Sequence, residues 1–258
     1  KKKVHWLPCN AENGWKITAE ALRNHCQKNQ LRQQLLIINS PNNPSGACFT
    51  EQELKQLAEV ARQYNIIVLS DEIYSQMHYQ GAHISLARYY PEGTIISNGI
   101  SKWAGAGGWR LGFFAFPNQL KEILNAMQVI ASESFTSVSA PIQMAAIPAF
   151  EQSQEIDDYI NSSRKVMSTV GLLFSAQLRT QHIHCLDPDG GFYALADFGF
   201  FKDKLMKTGI NNASQLCQRL LDETGVAGLP GSDFGLQDSF CVRFACVDFD
   251  AEGLLTKV

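Results

Sequence analysis

Continuous apolar runs mark four segments in the first half of the chain. They are LLIIN (residues 35–39), IIVLS (66–70), TIIS (94–97) and LGFFAF (111–116), and residues that favour turns flank each of them. Unbroken apolar runs of this length are typical of strands whose two faces are both covered by helices, as in parallel sheets. The pattern therefore predicts four buried strands of the parallel type.

A helix is predicted between the first two of these strands. The segment TEQELKQLAEVARQY begins at Thr50 and carries Glu53 three residues later, which is the pattern of a capping box. One face of this helix is apolar and consists of Leu54, Leu57, Ala58 and Ala61. Strand, helix and strand in succession form a βαβ unit, so we expect an α/β fold with a mostly parallel open sheet and flanking helices.

The chain changes character after residues 139–150, a segment of small residues and prolines. Residues 152–178 then predict one long helix with an apolar stripe. The stripe consists of Val166, Val170, Leu173 and Phe174. The segments GGFYALADF, ASQLCQRLLDETG and SFCVRFACV follow and predict a smaller α/β unit. We expect a large domain at residues 1–150, a connector helix with a small domain at residues 151–258, and a substrate cleft between the two domains.

The composition is that of a globular protein with a sizeable core. Of its 258 residues 45% are hydrophobic, and the formal net charge is −3. Without a basic excess the chain is not expected to bind nucleic acid, and no apolar run reaches the roughly 18 residues of a membrane span. The seven cysteines are scattered and never form a C-x-x-C pair, which favours a reducing compartment over a disulfide framework. We therefore expect a cytoplasmic protein without nucleic acid or membrane partners.

Polar residues follow three of the predicted strands at the point where each strand ends. NSPNNPSG follows the first strand and contains Asn43, and DEIY follows the second and contains Asp71 and Tyr74. NGISK follows the third strand and contains Lys102. In open α/β sheets the carboxyl ends of parallel strands meet at one edge, and ligands bind there. We therefore expect these four side chains on one rim.

The stretch SNGISKWAGAGGWRLG, residues 97–112, adds a second cation, Arg110, in surroundings rich in glycine and tryptophan. Because buried charge is costly without a partner, this composition indicates a pocket rather than a core strand. A lysine in apolar surroundings becomes a nucleophilic amine, and the guanidinium fork of an arginine matches a phosphate or a carboxylate. Lys102 and Arg110 are thus candidates for binding an aldehyde and a phosphate.

Asp71, Tyr74 and Asn43 complete this set of candidate ligand contacts. A carboxylate in a poorly solvated place needs a cationic or hydrogen-bonding partner to stay ionised, and a protonated ring nitrogen is such a partner. A phenol and an amide are both able to bind an anionic oxygen. A heterocycle with a ring nitrogen, an exocyclic oxygen, an aldehyde and a phosphate satisfies the whole set, and pyridoxal 5′-phosphate is that molecule.

These motifs resemble those of the class I and II aminotransferases, the aspartate aminotransferase-like family of pyridoxal-phosphate enzymes of fold-type I. SPNNPSG is similar to their N-P-x-G turn, SDEIY to D-x-x-Y, and SKWAGAGGWRLG to S-K-x-x-x-x-x-G-W-R-x-G. VRF, residues 242–244, is similar to the segment with their carboxylate-binding arginine, and GGFYALADF and LPGSDFG resemble landmarks of their small domain. The resemblance covers nearly the whole chain and implies their fold and a homodimer.

The resemblance implies a role for each matching residue around the cofactor. Lys102 would form the Schiff base with pyridoxal phosphate, and Asp71 would pair with the ring nitrogen. Asn43 and Tyr74 would bond the ring oxygen, and Arg110 would hold the phosphate. Lys102, Asp71 and Tyr74 would be the catalytic residues, because the lysine moves the α-proton while the ring acts as an electron sink.

On the substrate side, the resemblance implies that Arg243 and Asn43 bind the α-carboxylate of an amino acid. Many family members carry a phosphate-contacting serine three residues before the lysine, where this chain has Gly99, so Ser101 is the candidate for that contact. The implied function is the transfer of an amino group between an L-amino acid and a 2-oxo acid. The motifs do not specify the side chain of that amino acid.

Family members are longer than this chain. The resemblance therefore implies that an N-terminal part and the C-terminal end of the family's fold are missing here. That N-terminal part would supply a helix N-terminus for the phosphate and an aromatic residue to stack on the cofactor. The opening segment KKKVHWLPCN is expected to be a strand of the large domain.

Other interpretations stay open at this stage. Asp71 and Tyr74 are also compatible with a strand-end cap and a core aromatic residue, and Arg243 with a structural ion pair. A C-S lyase, a decarboxylase or a synthase of the same fold would use the same cofactor residues. A regulator's aminotransferase-like sensor domain, or a ligand-binding module without chemistry, would share the fold. HIHC, residues 182–185, contains potential metal ligands, but without a further ligand cluster nearby we expect no metal site.

Overall fold

The computed structural model describes residues 4–29, 33–81, 83–151, 153–250 and 253. Within these residues the chain forms two four-stranded sheets with helices packed against them. Residues 4–10, which are predicted to continue a strand, form none, and residues 1–3 of that segment lie outside the described residues. The end of the chain, residues 251–258, also lies outside them except for Gly253. Among the described helices, none combines the length and the apolar character that a membrane crossing requires.

The first sheet contains the four predicted strands in the order β1-β2-β3-β4. They are β1 (Leu35–Asn39), β2 (Ile67–Asp71), β3 (Thr94–Gly99) and β4 (Gly112–Ala115). β1, β2 and β3 run parallel, with Asn39 opposite Asp71 and Asp71 opposite Ser97. The prediction of a mostly parallel open sheet is confirmed, and the carboxyl ends of three strands lie side by side.

The prediction that all four strands are buried and parallel is wrong for β4 and partly wrong for β1. β4 runs antiparallel to β3, pairing Gly112 with Gly99, and all its residues are exposed. On β1, Leu35 and Ile37 are 58% and 63% exposed. An unbroken apolar run indicates apolar faces but not the direction of the strand. The chain between β3 and β4 forms turns instead of a crossover helix, and such a connection gives an antiparallel pair.

The main core lies between this sheet and two helices, α1 (Ala19–Asn29) and α2 (Glu51–Gln63). The predicted capping box is present at the start of α2. Thr50 Oγ1 accepts a hydrogen bond from Glu53 N at 3.3 Å, and Glu53 Oε2 accepts one from Thr50 N at 2.7 Å. The predicted apolar face of α2 is buried against β1, β2 and α1. This packing fixes the first βαβ unit and so orients the strand ends.

Three helices lead from the first sheet to the second: α3 (Lys121–Ser134), α4 (Ala140–Phe150) and α5 (Gln154–Thr180). α5 confirms the predicted long connector helix. Its apolar stripe differs from the prediction, because Val166 is buried whereas Leu173 is 60% exposed. The helix contacts the segment after β2 along its first half and the second sheet along its second half, so its buried face shifts along its length.

The second sheet is antiparallel and has the strand order β5-β6-β8-β7. Its strands are β5 (His184–Cys185), β6 (Tyr193–Asp197), β7 (Leu229–Pro230) and β8 (Cys241–Ala245). Its helices are α6 (Lys202–Lys207) and α7 (Ala213–Thr224), and α7 contacts β7 and β8. The predicted smaller α/β unit is therefore present, while the domain limits at residues 1–150 and 151–258 stay predictions.

The loop 186–191 contacts the turn that follows β1 and so joins the two sheets. Asp189 N donates a hydrogen bond to Gly46 O at 2.9 Å. Gly46 has a φ of 74°, and a Cβ at this position would lie 2.5 Å from Pro188 Cβ. Only a residue without a side chain fits such a close approach in the left-handed conformation. The turn that carries Asn43 is thereby held against the second sheet.

Candidate active site

The turns that follow β1, β2 and β3 meet at one rim of the first sheet. Asn39, the last residue of β1, links two of these turns. Its Nδ2 donates to Asp71 O at 3.0 Å, and its Oδ1 accepts from Asn43 N at 2.6 Å. Ser97 of β3 lies opposite Asp71 in the register of the sheet. The strand ends therefore converge as the sequence predicts.

A cavity of about 270 Å³ opens at this rim. Its walls include three side chains that the motifs single out, Asp71, Ser101 and Arg110, and also Ser97 and Asn98. An acid, a cation and several neutral hydrogen-bonding groups therefore surround one space. Such a set is suited to a polar ligand that carries both a ring nitrogen and an anionic group.

Asp71 is half-buried at the end of β2, and its Oδ1 accepts a hydrogen bond from Ile73 N at 3.3 Å. Burial raises the pKa of this carboxyl above its ordinary value, and Glu72 raises it further, while the Ile73 N–H and Lys102 act in the opposite direction. The carboxylate keeps unused acceptor capacity in a poorly solvated place. A protonated ring nitrogen beside it would satisfy that capacity.

Lys102 lies in the turn after β3, and its ammonium group lies over two aromatic rings. Nζ is 5.7 Å from the centre of the Tyr74 ring and 5.9 Å from the centre of the Phe192 ring. Within the part of the chain that the structure describes, Nζ has no hydrogen-bond or ion-pair partner. An amine held against aromatic faces, with Asp71 acting on it only at longer range, is available for reaction.

Arg110 adopts the left-handed conformation, with a φ of 54°, in the glycine-rich segment after Lys102. Its Nη1 donates to Gly107 O at 2.7 Å, so the side chain folds back over its own turn. Positive φ is uncommon for residues other than glycine, which makes this conformation a distinctive feature of the segment. Arg110 and Ser101 both line the cavity, and the remaining N–H groups of the guanidinium suit a phosphate.

Arg243, on β8, reaches the cleft from the second sheet. Its Nη1 donates to Asn43 Oδ1 at 3.0 Å. The guanidinium carbon lies 4.3 Å from the centre of the Tyr193 ring and 5.1 Å from that of Phe234. Its Nε is buried without a hydrogen-bond partner, and no acid of the described residues forms an ion pair with Arg243. The structural ion pair considered for this arginine is therefore not formed within that part of the chain.

Tyr74 is buried between the cavity and Arg243. Its hydroxyl donates to Tyr193 Oη at 3.2 Å, and its ring packs edge-on against Phe192 and Tyr193. Burial raises the pKa of Tyr74, and the hydrogen bond to Tyr193 raises it further, so the phenol stays protonated. Tyr74 is therefore a core aromatic residue whose hydroxyl donates to Tyr193 in this structure.

Three aromatic residues near Lys102 and Arg243 have no role assigned from the sequence: Phe192, Tyr193 and Phe234. They lie in the segments GGFYALADF and LPGSDFG, which resemble family landmarks. Strand register provides a signal for Tyr193, because Leu195 of β6 lies opposite Arg243 of β8. Residues two apart on a strand share a face, so Tyr193 is a diagonal neighbour of Arg243. That signal requires the register of two strands far apart in sequence, which a hydrophobic pattern does not provide.

The predicted site residues all lie in the described part of the chain: Asn43, Asp71, Tyr74, Ser101, Lys102, Arg110 and Arg243. Asp71, Ser101 and Arg110 line the cavity, and contacts join the others, because Lys102 Nζ lies over the Tyr74 ring and Arg243 donates to Asn43. The roles assigned to them stay predictions. His182 of the HIHC segment instead stacks on Phe200 with ring centres 4.8 Å apart, and no group of three or more potential metal ligands occurs among the residues described.

The chain is similar to known proteins over almost its whole length. A family model described as aminotransferase class I and II matches residues 2–254. The aspartate aminotransferases of Bacillus sp. (strain YM-2) and Geobacillus stearothermophilus are each 34% identical to the chain, over 93% and 91% of its length. The chain spans only 59% and 58% of the length of these two relatives.

Solved structures show the same likeness in three dimensions. The aspartate aminotransferase from Thermus thermophilus with maleate matches with a TM-score of 0.82 at 29% identity, covering 97% of this chain and 61% of that chain. The aromatic aminotransferase from Pyrococcus horikoshii OT3 matches with a TM-score of 0.81 at 29% identity, covering 96% and 63%. The fold expected from the motifs is therefore confirmed.

Proposed function

Because the chain belongs to the aminotransferase class I and II family, we propose that it is part of an enzyme that transfers an amino group between an L-amino acid and a 2-oxo acid. Enzymes of this family use pyridoxal phosphate. One observation carries the proposal: among the described residues, Lys102 Nζ has no hydrogen-bond or ion-pair partner, the neighbouring cavity is lined by Asp71 and Arg110, and Arg243 forms no ion pair with an acid.

The residues of the cleft fit pyridoxal phosphate on structural grounds. Asp71 offers a carboxylate with unused acceptor capacity to the protonated ring nitrogen. Tyr74 and Asn43 offer O–H and N–H donors to the ring oxygen. Arg110 and Ser101 line the same cavity as Asp71, so we assign the phosphate to them. Each polar group of the cofactor thus has a partner of matching chemistry.

When bound, pyridoxal phosphate supplies an electron sink that withdraws electrons from the α-carbon of the amino acid. Asp71 keeps a negative charge beside the ring nitrogen and so maintains its protonation. Lys102 Nζ acts as the general base that accepts the proton from the substrate α-carbon. The aromatic rings of Tyr74 and Phe192 lie 5.7 and 5.9 Å from this amine and orient it.

Arg243 binds the α-carboxylate of the substrate. Its buried Nε–H finds no acceptor among the residues that the structure describes, and buried donors in proteins are normally paired. A carboxylate provides that acceptor and matches the guanidinium fork. Asn43 holds Nη1 at 3.0 Å and so orients the fork. The likeness of the chain to proteins named aspartate aminotransferase supports aspartate as its amino donor.

The test uses the full-length protein with added pyridoxal phosphate and borohydride. Reduction is expected to fix the cofactor on the peptide that contains Ser101, Lys102 and Trp103. Lys102→Ala is expected to abolish this labelling, whereas Lys121→Ala, at the start of α3, is the matched control that retains it. A label on another lysine, or no label, would contradict the proposed site.

The reaction itself is tested with aspartate and 2-oxoglutarate. A transaminating enzyme forms oxaloacetate and glutamate in equal amounts. Release of carbon dioxide or of a cleaved side chain, without formation of the second amino acid, would favour a decarboxylase or a lyase on the same fold. Labelling of Lys102 without any turnover would favour a sensor or binding module.

We extend the proposal to a cytoplasmic homodimer. All seven cysteines are unpaired, as expected in a reducing compartment. Apolar side chains are exposed on α3 and α4, among them Ile130 at 66% and Phe150 at 53%. Exposed apolar surface of this kind is typical of contact regions. The family resemblance of the motifs supports a second copy of the chain as the partner.

A further inference from the structure

Tyr193 contacts both ends of the cleft. Its hydroxyl accepts a hydrogen bond from Tyr74 Oη at 3.2 Å, and its ring centre lies 4.3 Å from the guanidinium carbon of Arg243. Tyr193 and Tyr74 are only 7% and 4% exposed, so both contacts are shielded from water. Tyr193 therefore connects a residue assigned to the cofactor with a residue assigned to the substrate.

The hydroxyl of Tyr193 matters because a phenol has one proton to donate and two lone pairs that accept. In the structure Tyr74 uses its proton on Tyr193 Oη. For Tyr74 to donate to a cofactor oxygen, its proton must turn away from Tyr193, and Tyr193 must then donate to Tyr74 Oη. Because hydrogen bonds in a chain polarise one another, a donating Tyr193 makes Tyr74 a stronger donor.

The ring of Tyr193 matters because no acid of the described residues forms an ion pair with Arg243. Tyr193 and Phe234 lie 4.3 and 5.1 Å from the guanidinium carbon, and Asn43 accepts its hydrogen bond. Aromatic faces attract a cation without neutralising its charge. Arg243 is thereby oriented while it keeps its full attraction for a carboxylate.

We propose that Tyr193 is a positioning residue for both ends of the site. Its ring fixes Arg243 for the substrate carboxylate, and its hydroxyl supports Tyr74 as a donor to the cofactor oxygen. This inference rests on the proposed function. A residue that only packs the core needs the ring but not the hydroxyl, so Tyr193→Phe and Tyr193→Leu separate the two contributions.

The role of the hydroxyl is tested in the full-length holoenzyme without substrate. The visible absorption of the bound cofactor is measured as a function of pH, and the pH at the midpoint of its change is compared between variants. A weaker donor stabilises an anionic ring oxygen less, so the midpoint is expected to rise in Tyr193→Phe and to rise further in Tyr74→Phe. If Tyr193 acts through Tyr74, the double variant has the midpoint of Tyr74→Phe alone. An unchanged midpoint in Tyr193→Phe, or additive shifts in the double variant, would overturn the role of the hydroxyl.

The ring is tested by the Kd of maleate, an unreactive dicarboxylate. Tyr193→Phe keeps the ring and is expected to leave this Kd within about twofold of the wild type, whereas Tyr193→Leu loses one aromatic face and is expected to raise it about fivefold. Phe234→Leu is the matched control, because it removes the other face of Arg243 and is expected to raise the Kd without moving the spectral midpoint. A wild-type Kd in Tyr193→Leu would overturn the role of the ring.

Failure of this inference is distinguishable from failure of the proposed function. The wild-type enzyme is labelled at Lys102 and transaminates if the proposed function is right. If it does so while Tyr193→Phe leaves the spectral midpoint unchanged, the proposed function stands and the role of the Tyr193 hydroxyl is wrong. Thermal melting establishes that each variant folds. If Tyr193→Leu does not fold, Tyr193→Met, with a longer and more flexible side chain, replaces it in the same measurement.

Discussion

Two adjacent carboxylates at the end of β2 have opposite surroundings. Asp71 lines the cavity, whereas Glu72 is buried in a network of its own. Glu72 accepts hydrogen bonds from Ser70 Oγ at 2.9 Å and Ser85 Oγ at 2.5 Å, and pairs with His83 Nε2 at 2.9 Å. Consecutive side chains of a strand point to opposite sides, which accounts for the difference. The network satisfies Glu72 and leaves Asp71 available to a ligand.

The first prediction concerns Asp71. Asp71→Ala is expected to retain labelling of Lys102 but to slow removal of the substrate α-proton about 100-fold or more, because the charge that keeps the ring nitrogen protonated is lost. The rate of α-deuterium loss from labelled aspartate measures this step in the full-length protein. Asp158→Ala, on the exposed side of α5, is the control that is expected to keep the wild-type rate. A wild-type rate in Asp71→Ala would remove the assigned role.

The second prediction concerns the stability that Glu72 provides. Burial raises the pKa of its carboxyl, but the hydrogen bonds from His83 and Ser85 outweigh burial, so the folded-state pKa lies below the ordinary 4.5. A lowered pKa stabilises the folded state above pH 4.5, and this stabilisation is lost as the pH falls through the folded-state pKa. Glu72→Gln is therefore expected to lower the free energy of unfolding by about 2 kcal/mol at neutral pH and by progressively less in acid.

Urea unfolding of the full-length protein at several pH values measures this difference. Glu223→Gln is the matched control, because Glu223 is an exposed carboxylate of α7 paired with Arg219. Its effect is expected to stay small at every pH. A cost of Glu72→Gln that does not change with pH would show that the charge of Glu72 contributes nothing to stability.

At the scale of the elements, the turn after β1 and the loop 186–191 fix the approach of the two sheets. Gly46 is the contact point, and Asn43 lies in the same turn. β8 brings Arg243 to this turn through its pairing with β6. The geometry of the substrate end therefore depends on how closely two elements approach each other, and not only on the residues that line it.

The third prediction tests this contact. Gly46→Ala is expected to lower the free energy of unfolding by about 3 kcal/mol, because it combines left-handed strain with a clash against Pro188. Gly209→Ala is the matched control, since Gly209 has a φ of 85° and no atom within 4 Å of an added Cβ. Its expected cost is about 1 kcal/mol from conformation alone.

Urea unfolding gives both costs, and the Kd of maleate reports on the site. Gly46→Ala is expected to weaken maleate binding because it displaces the turn that holds Arg243 through Asn43, whereas Gly209→Ala leaves binding unchanged. An equal decrease in the free energy of unfolding for the two substitutions would indicate that the turn accommodates the added methyl group at Gly46 without further loss of stability.

At the scale of the whole molecule, the cores of the two sheets are joined at the site by a further buried cluster that contains Tyr74 and Tyr193. One core lies between the first sheet and the helices α1 and α2, and the other lies within the second sheet and its helices. The hydrogen bond from Arg243 to Asn43 and the one from Tyr74 to Tyr193 cross between the two units. The site is therefore a property of the assembled chain rather than of either unit.

The fourth prediction concerns assembly. The full-length protein is expected to sediment as a dimer, because exposed apolar side chains on α3 and α4 favour association. Sedimentation velocity over a hundredfold range of concentration measures the mass. A single monomeric species throughout that range would contradict the homodimer.

Features that depend on neighbours along the chain could be predicted from the sequence. The three parallel strands and the cap of α2 by Thr50 and Glu53 follow from local hydrophobic pattern and hydrogen bonding. Because parallel strands carry ligand-binding residues at their carboxyl ends, Asp71 and Lys102 were identifiable from their place after two such strands. Residue type and spacing thus placed these candidates at the strand ends, and the resemblance of the motifs indicated the family.

Only the tertiary structure decided features that depend on which distant surfaces meet. The antiparallel direction of β4, the exposure of Leu173 and the contact of Tyr193 with Arg243 all belong to this class. An apolar run pairs equally well in either direction, and a helix stripe is buried only where a partner covers it. A shift of one residue in strand register moves every side chain to the other face, so the position of Tyr193 is determined by the packing of β6 against β8 and not by its neighbours in sequence.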